Sequence, residues 1–199
     1  MLDLNEGKNA VIFARSVIDE YVKNNNVPKT NLSGIFDKKQ GAFVTIHTFP
    51  EGNLRGCIGI PLPIMTLKEA IIEGGRSATH DPRFPVLSVE ELDNIIIEVT
   101  ILTPPEIIKV DKPEDYLEKI EIGRDGLIVE QGIFKGLLLP QVPVEWNWDV
   151  KDFLANTCMK AGLSPDAWFE NSTKISKFSG QIFIELKPRG EIEEKELNG

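Results

Sequence analysis

Two apolar runs, "GAFVTIHTF" and "LRGCIGI", flank the four-residue segment "PEGN". Alternation of apolar and polar residues with period two marks half-buried strands, and a link this short and turn-rich makes the two runs antiparallel partners. A chain organised around such a hairpin is constrained more tightly than by any other feature of the sequence, because side-chain direction on both strands follows from the register. Leu54, Gly56, Ile58 and Ile60 fall on one face with Ala42, Val44, Ile46 and Thr48 as their counterparts. Arg55, Cys57 and Gly59 fall on the other, with Phe43, Thr45, His47 and Phe49.

Helices lie on both sides of the hairpin. Ala10, Phe13, Ala14, Val17, Ile18 and Tyr21 recur at helical spacing behind an Asp3/Glu6 capping pair, which predicts a helix over about residues 5–23. Thr66 and Glu69 head a second helix, in which Gly74 and Gly75 require close backbone packing to offset their low helix propensity, about 1 kcal/mol each. Pro82 and Pro85 end it in the loop "HDPRFPV". "SVEELDN" reads as a short capped helix and "IIIEVTIL" as a strand. "RDG" and "QG" punctuate a small meander, followed by a helix in "NWDVKDFLANTCMKAGL" with Gly162 after its end. "KFSGQIFIEL" alternates as a final strand, and the acidic "GEIEEKELNG" reads as a solvated end. Strands and helices interleave without a βαβ rhythm, so the class is α+β: a largely antiparallel sheet with flanking helices. The 199 residues fit one domain, with the meander region around 104–140 as the candidate for a smaller β-rich lobe.

A net charge of −9 opposes an extended nucleic-acid footprint, and no apolar run is long enough to span a bilayer. The N-terminus lacks the pattern of a signal peptide, so the expected compartment is the cytoplasm. Cys57 and Cys158 are far apart and in unlike contexts; the latter lies on the apolar face of its helix and reads as core. The two histidines, His47 and His80, form no metal-binding pattern, and no motif for a cofactor is present.

Chemistry therefore concentrates on the second face of the hairpin. If residues 49–53 form the loop, Thr48 opposes Leu54, His47 opposes Arg55 and Thr45 opposes Cys57. Arg55 offers a planar fork for a carboxylate or phosphate, and a neighbouring cation would favour the Cys57 thiolate. Gly56 and Gly59 leave room for a ligand or for another backbone. Three readings of Cys57 stay open: a packed small residue, a wall of a ligand site, or a nucleophile served by His47 or by His80. The loop residues Asp81 and Arg83 either hold a structural turn or line the site.

"LRGCIG" at Leu54 to Gly59 and "DPRFPVLSVEEL" at Asp81 to Leu92 resemble the signatures of the AMMECR family, and similarity continues through "LLLPQV" and "FLANTCMKAGL". The resemblance implies a larger lobe containing both termini, a smaller lobe, and a cleft near the first signature. It implies no established reaction. Some microbial relatives look associated with Memo-type and radical-SAM proteins, which points to a partner system of that kind, although this chain lacks the cysteines for the cluster itself. The resulting expectation is a protein that binds a small anionic ligand or modified side chain, with Arg55 as anchor and Asp81 and Arg83 as wall. Catalysis by Cys57 is its mechanistic version, and a protein-docking module without chemistry is the alternative.

Overall fold

In the computed structural model, which describes residues 2–195, the helices in chain order are α1 (Leu4–Asn24), α2 (Leu67–Ala78), α3 (Tyr116–Lys119), α4 (Gln141–Glu145) and α5 (Val150–Lys160). The strands are β1 (Ala42–Thr48), β2 (Leu54–Ile60), β3 (Ile95–Leu102), β4 (Glu106–Ile107), β5 (Asp125–Gln131), β6 (Phe134–Leu138), β7 (Lys174–Glu185) and β8 (Ile192–Lys195). Contacts divide the described residues into two compact units, 2–102 with 181–195, and Thr103–Gly180. The second unit takes in the 104–140 stretch and adds α5 and the first half of β7. No described helix is long and apolar enough to cross a membrane.

In the first unit the strand order is β2-β1-β3, followed by the C-terminal half of β7, with β8 paired to β7. The inner face carries Val44, Ile46, Ile97, Val99 and Ile101, all buried against Ala10, Ala14, Val17 and Ile18 of α1 and Leu67, Ala70 and Ile71 of α2. Both helices begin as read, each with a reciprocal capping box. The two glycines of α2 find the close packing their cost demanded. A Cβ at Gly74 would stand 3.1 Å from the Ile58 carbonyl oxygen, and one at Gly75 would stand 3.2 Å from Val17.

A buried ion pair ties these layers together. Arg15 of α1 donates through Nε to Glu185 of β7 at 3.1 Å, pairs with it again through a terminal nitrogen, and reaches the carbonyls of Leu92 (3.2 Å) and Ile95 (2.8 Å). Glu185 also accepts from the Ile97 amide at 3.0 Å, so both charges are satisfied inside the unit.

The second unit orders its strands β4-β7-β5-β6. Leu127, Val129 and Ile175 pack on Phe153, Leu154 and Cys158 of α5, which places Cys158 in the core as its helical position required. Gly162 ends that helix with φ of +80°.

The segment "SVEELDN" forms the short capped helix expected of it, a 3-10 helix over Val89–Asn94 with a Ser88/Glu91 capping box. Two sequence readings are corrected. The meander is a two-stranded hairpin followed by the short helix α4, which the sequence reading did not include. The acidic tail is not simply a solvated end, because Ile192–Lys195 pairs with β7 and buries Ile192. One apolar residue in a run of carboxylates was the only periodic signal available there; the last four residues of that reading lie outside the described chain.

Candidate functional site

β1 and β2 pair as expected through Thr45↔Cys57 and Ile46↔Gly56, but His47 opposes Leu54. The register shifts between Ile46 and His47, leaving Arg55 as the extra residue of a bulge. A bulge re-aims the side chain it carries. Arg55 accordingly turns to the 3-10 turn, where Nε and one terminal nitrogen grip the two oxygens of Glu91 at 2.7 and 3.1 Å. The same carboxylate accepts from the Ser88 amide at 2.8 Å. Its hydrogen bond from Arg55 holds the Glu91 carboxyl below its ordinary value. Arg55 is only 12% exposed and its fork is occupied, so the role of anion anchor expected of it needs Glu91 to move away first.

β2 is an edge strand, and the loop after α2 closes its edge at Cys57. The Cys57 amide donates to Asp81 Oδ2 at 2.9 Å, and the Cys57 carbonyl accepts from Arg83 at 3.4 Å. Asp81 and Arg83 are joined to each other by Nε to Oδ1 (3.0 Å) and a terminal nitrogen to Oδ2 (2.7 Å), and the Arg83 amide adds a bond to Oδ1 at 3.1 Å. The ion pair thus offers the edge one acceptor and one donor, as a neighbouring strand residue would. Asp81 is buried and Arg83 is 55% exposed. The Arg83 hydrogen bonds hold the Asp81 carboxyl well below the usual range, and the pairing raises Arg83 in turn.

Gly56 and Gly59 make room for the protein's own backbone and rings. A Cβ on Gly56 would come within 2.3 Å of the Ala78 carbonyl oxygen at the end of α2, and one on Gly59 within 2.4 Å of the Ala42 carbonyl and 2.5 Å of the Phe43 ring. Gly56 is therefore what lets α2 end against β2 and deliver Asp81 to the strand edge.

On the outer face of the sheet, Cys57, Thr45 and Glu98 form one row across β2, β1 and β3. Thr45 donates to Cys57 Sγ at 3.2 Å. Glu98 lies 3.7 Å from His47 Nε2 and 3.6 Å from Lys195 Nζ of β8. The Nε2 atom of His47 is buried and has no hydrogen-bond partner. Burial pushes the Cys57 thiol up, and neither the Thr45 hydrogen bond nor the Arg83 charge offsets it. The expected cation-favoured thiolate is thus corrected, because desolvation outweighs the nearby positive charge.

His80 is exposed; its Nδ1 meets Thr79 Oγ1 at 2.7 Å and its ring meets Tyr21 of α1 edge-on at 5.5 Å. Among the described residues no hydrogen bond joins either histidine to Cys57, and no cluster of three or more His, Cys, Asp or Glu could hold a metal ion. The sequence reading missed Glu91, Glu98, Phe84 and Lys195. Glu91 lies in "SVEELDN", where the capped-helix pattern singles out no carboxylate as a partner for Arg55. Glu98 was visible as a lone carboxylate in "IIIEVTIL", and that was the signal to follow. Phe84 has the guanidinium carbons of Arg55 and Arg83 at 6.0 and 5.6 Å from its ring centre.

An antiparallel α+β protein with a polar sheet face and an ion pair closing its edge strand is the class these features define. Residues 11–183 match the AMMECR1 family model, and the chain belongs to that family. It is 55% identical over 198 residues to Protein MJ0810 of Methanocaldococcus jannaschii, with 99% of this chain and 98% of that one covered. A Methanocella arvoryzae protein is 53% identical over 200 residues, covering 99% and 100%. The crystal structure of the uncharacterized protein PH0010 from Pyrococcus horikoshii superposes with a TM-score of 0.85 at 48% identity, covering 98% of each chain.

Proposed function

We propose that this protein binds a small anionic molecule or a modified side chain on the polar face of β1, β2 and β3, without a covalent step. The observation that carries the reading is the polar row of Cys57, Thr45 and Glu98 beside His47, whose buried Nε2 makes no hydrogen bond and has the Glu98 carboxylate at 3.7 Å. That contact is longer than a hydrogen bond, and a ligand group toward which the His47 ring turns would supply the bond that is missing. Arg55, Arg83 and Lys195 are matched by Glu91, Asp81 and Glu98, so the surface is charge-balanced and attracts an anion only locally. Arg83 is the better anchor, being 55% exposed against 12% for Arg55, although both guanidiniums hold a carboxylate through Nε and one terminal nitrogen. A catalytic version would need Cys57 as thiolate, which its burial opposes.

Calorimetric titration with a panel of carboxylates and phosphates tests this. A binder should lose about tenfold in affinity in Arg83→Ala and in His47→Ala, and little in Cys57→Ser. Binding that is indifferent to both changes would remove the reading. The rim of Leu54, Val86 and Val89, each at least 40% exposed, favours a second reading in which the same surface docks a protein. Memo-type and radical-SAM proteins are the first partners to test; capture lost in Val86→Asp/Val89→Asp, with no small-molecule binder found, would favour that reading over the first.

A further inference from the structure

We propose that the second unit carries a separate site for a small phosphate-bearing anion, in the cavity lined by Lys109, Lys119, Arg124 and Lys177. The cavity holds about 460 Å³, and four cations line it against two carboxylates, Glu118 and Glu121, in a chain of net charge −9. They come from four places: the segment after β4, the end of α3, the turn before β5 and the first half of β7.

Two of these cations are oriented by peptide carbonyls, Lys119 by a carbonyl alone and Lys177 by a carbonyl together with Asp125. Lys177 Nζ donates to the Lys119 carbonyl at 2.7 Å, and Lys119 Nζ donates to the Lys109 carbonyl at 2.6 Å. A peptide carbonyl orients an ammonium without cancelling its charge. Lys177 also stands 3.4 Å from Asp125, which leaves it one of three donors, while Lys119 keeps two. Arg124 holds both oxygens of buried Asp125, at 2.9 and 3.0 Å, and pairs with Glu121 through its other terminal nitrogen. Two of its five N–H groups remain. Counting Asp125 behind them, four positive charges face three negative ones, so an excess survives on pre-oriented donors. Point-charge ammoniums and a guanidinium fork, brought together from separate segments, suit a tetrahedral anion with several oxygens. Burial alone would raise the Asp125 carboxyl, but the Arg124 hydrogen bonds hold it low, and this anion keeps Arg124 and Lys177 in place.

The test is calorimetric titration of the full chain at low salt with inorganic phosphate, pyrophosphate and ADP. Pyrophosphate should bind at one site, more tightly than phosphate. Replacing the two exposed lysines in Lys109→Gln/Lys119→Gln should weaken it about 100-fold, and Arg124→Gln should weaken it in the same direction. Arg83→Ala should leave it unchanged, which separates this site from the sheet surface of the first unit. ADP binding like pyrophosphate would mean that the phosphates alone are read; tighter ADP binding would add contact with Ile108 and Ile120. No saturable pyrophosphate binding at millimolar concentration, or binding unaltered in the lysine variant, would overturn the proposal.

Discussion

At the scale of single residues, Cys57 is where composition misleads most. A cysteine two positions from an arginine invites a nucleophile, yet the bulge sends Arg55 to Glu91, and the cation that does act on the thiol is Arg83, more weakly than burial. Alkylation by iodoacetamide, followed by mass spectrometry across pH 6–10, should show Cys57 reacting with a midpoint above that of an ordinary thiol, about 8.5. Cys158, wholly buried with its thiol pushed up to about 11 by that burial, should react only on unfolding. A Cys57 midpoint below 8 would restore the nucleophile.

At the scale of elements, the sheet face was legible and the loop's purpose was not. Alternation alone placed Arg55, Cys57, Thr45 and His47 on the outer strand faces, because period two is a property of the backbone. It could not reveal the bulge, which depends on the 3-10 turn that Arg55 reaches, nor that Asp81 and Arg83 close the edge of β2, which depends on where α2 ends in space. That closure has a pH signature. The folded value of Asp81 is depressed, so its contribution to stability is fully present above its unfolded value, about 4, and is lost as pH falls through the folded value. Urea midpoints measured from pH 6 down to pH 2 should therefore drop in the wild type, beginning below about pH 4, and drop less in Asp81→Asn. At pH 6 that variant should already be less stable by about 2 kcal/mol, through the weakened contacts to Arg83 and the Cys57 amide. Equal slopes for the two proteins would show that the carboxylate does not stabilise the edge.

At the scale of the molecule, each unit has its own apolar cluster; the helical spacing of α1 predicted Ala10, Phe13, Ala14, Val17 and Ile18 of the first, and the apolar face of α5 predicted Cys158 of the second, whereas Leu127, Trp168 and Ile175 of the second cluster were not singled out by any periodic pattern. The Arg15–Glu185 pair was invisible in the sequence, since 170 positions separate its members and each could pass for a surface charge. It joins α1, the start of β3 and the C-terminal half of β7, and its two side chains are 7% and 3% exposed. Removing one partner leaves the other charge buried and unpaired, whereas removing both abolishes the desolvation cost together with the attraction. Glu185→Ala should thus lower the unfolding free energy by about 3–5 kcal/mol, and Arg15→Met/Glu185→Leu by less than either single change, because the second substitution removes the stranded charge left by the first. Urea denaturation of the two single variants and the double variant measures this coupling. If the double variant loses the sum of the singles, the pair does not act as one unit, and the carbonyls of Leu92 and Ile95 on Arg15 and the Ile97 amide on Glu185 carry the stabilisation separately.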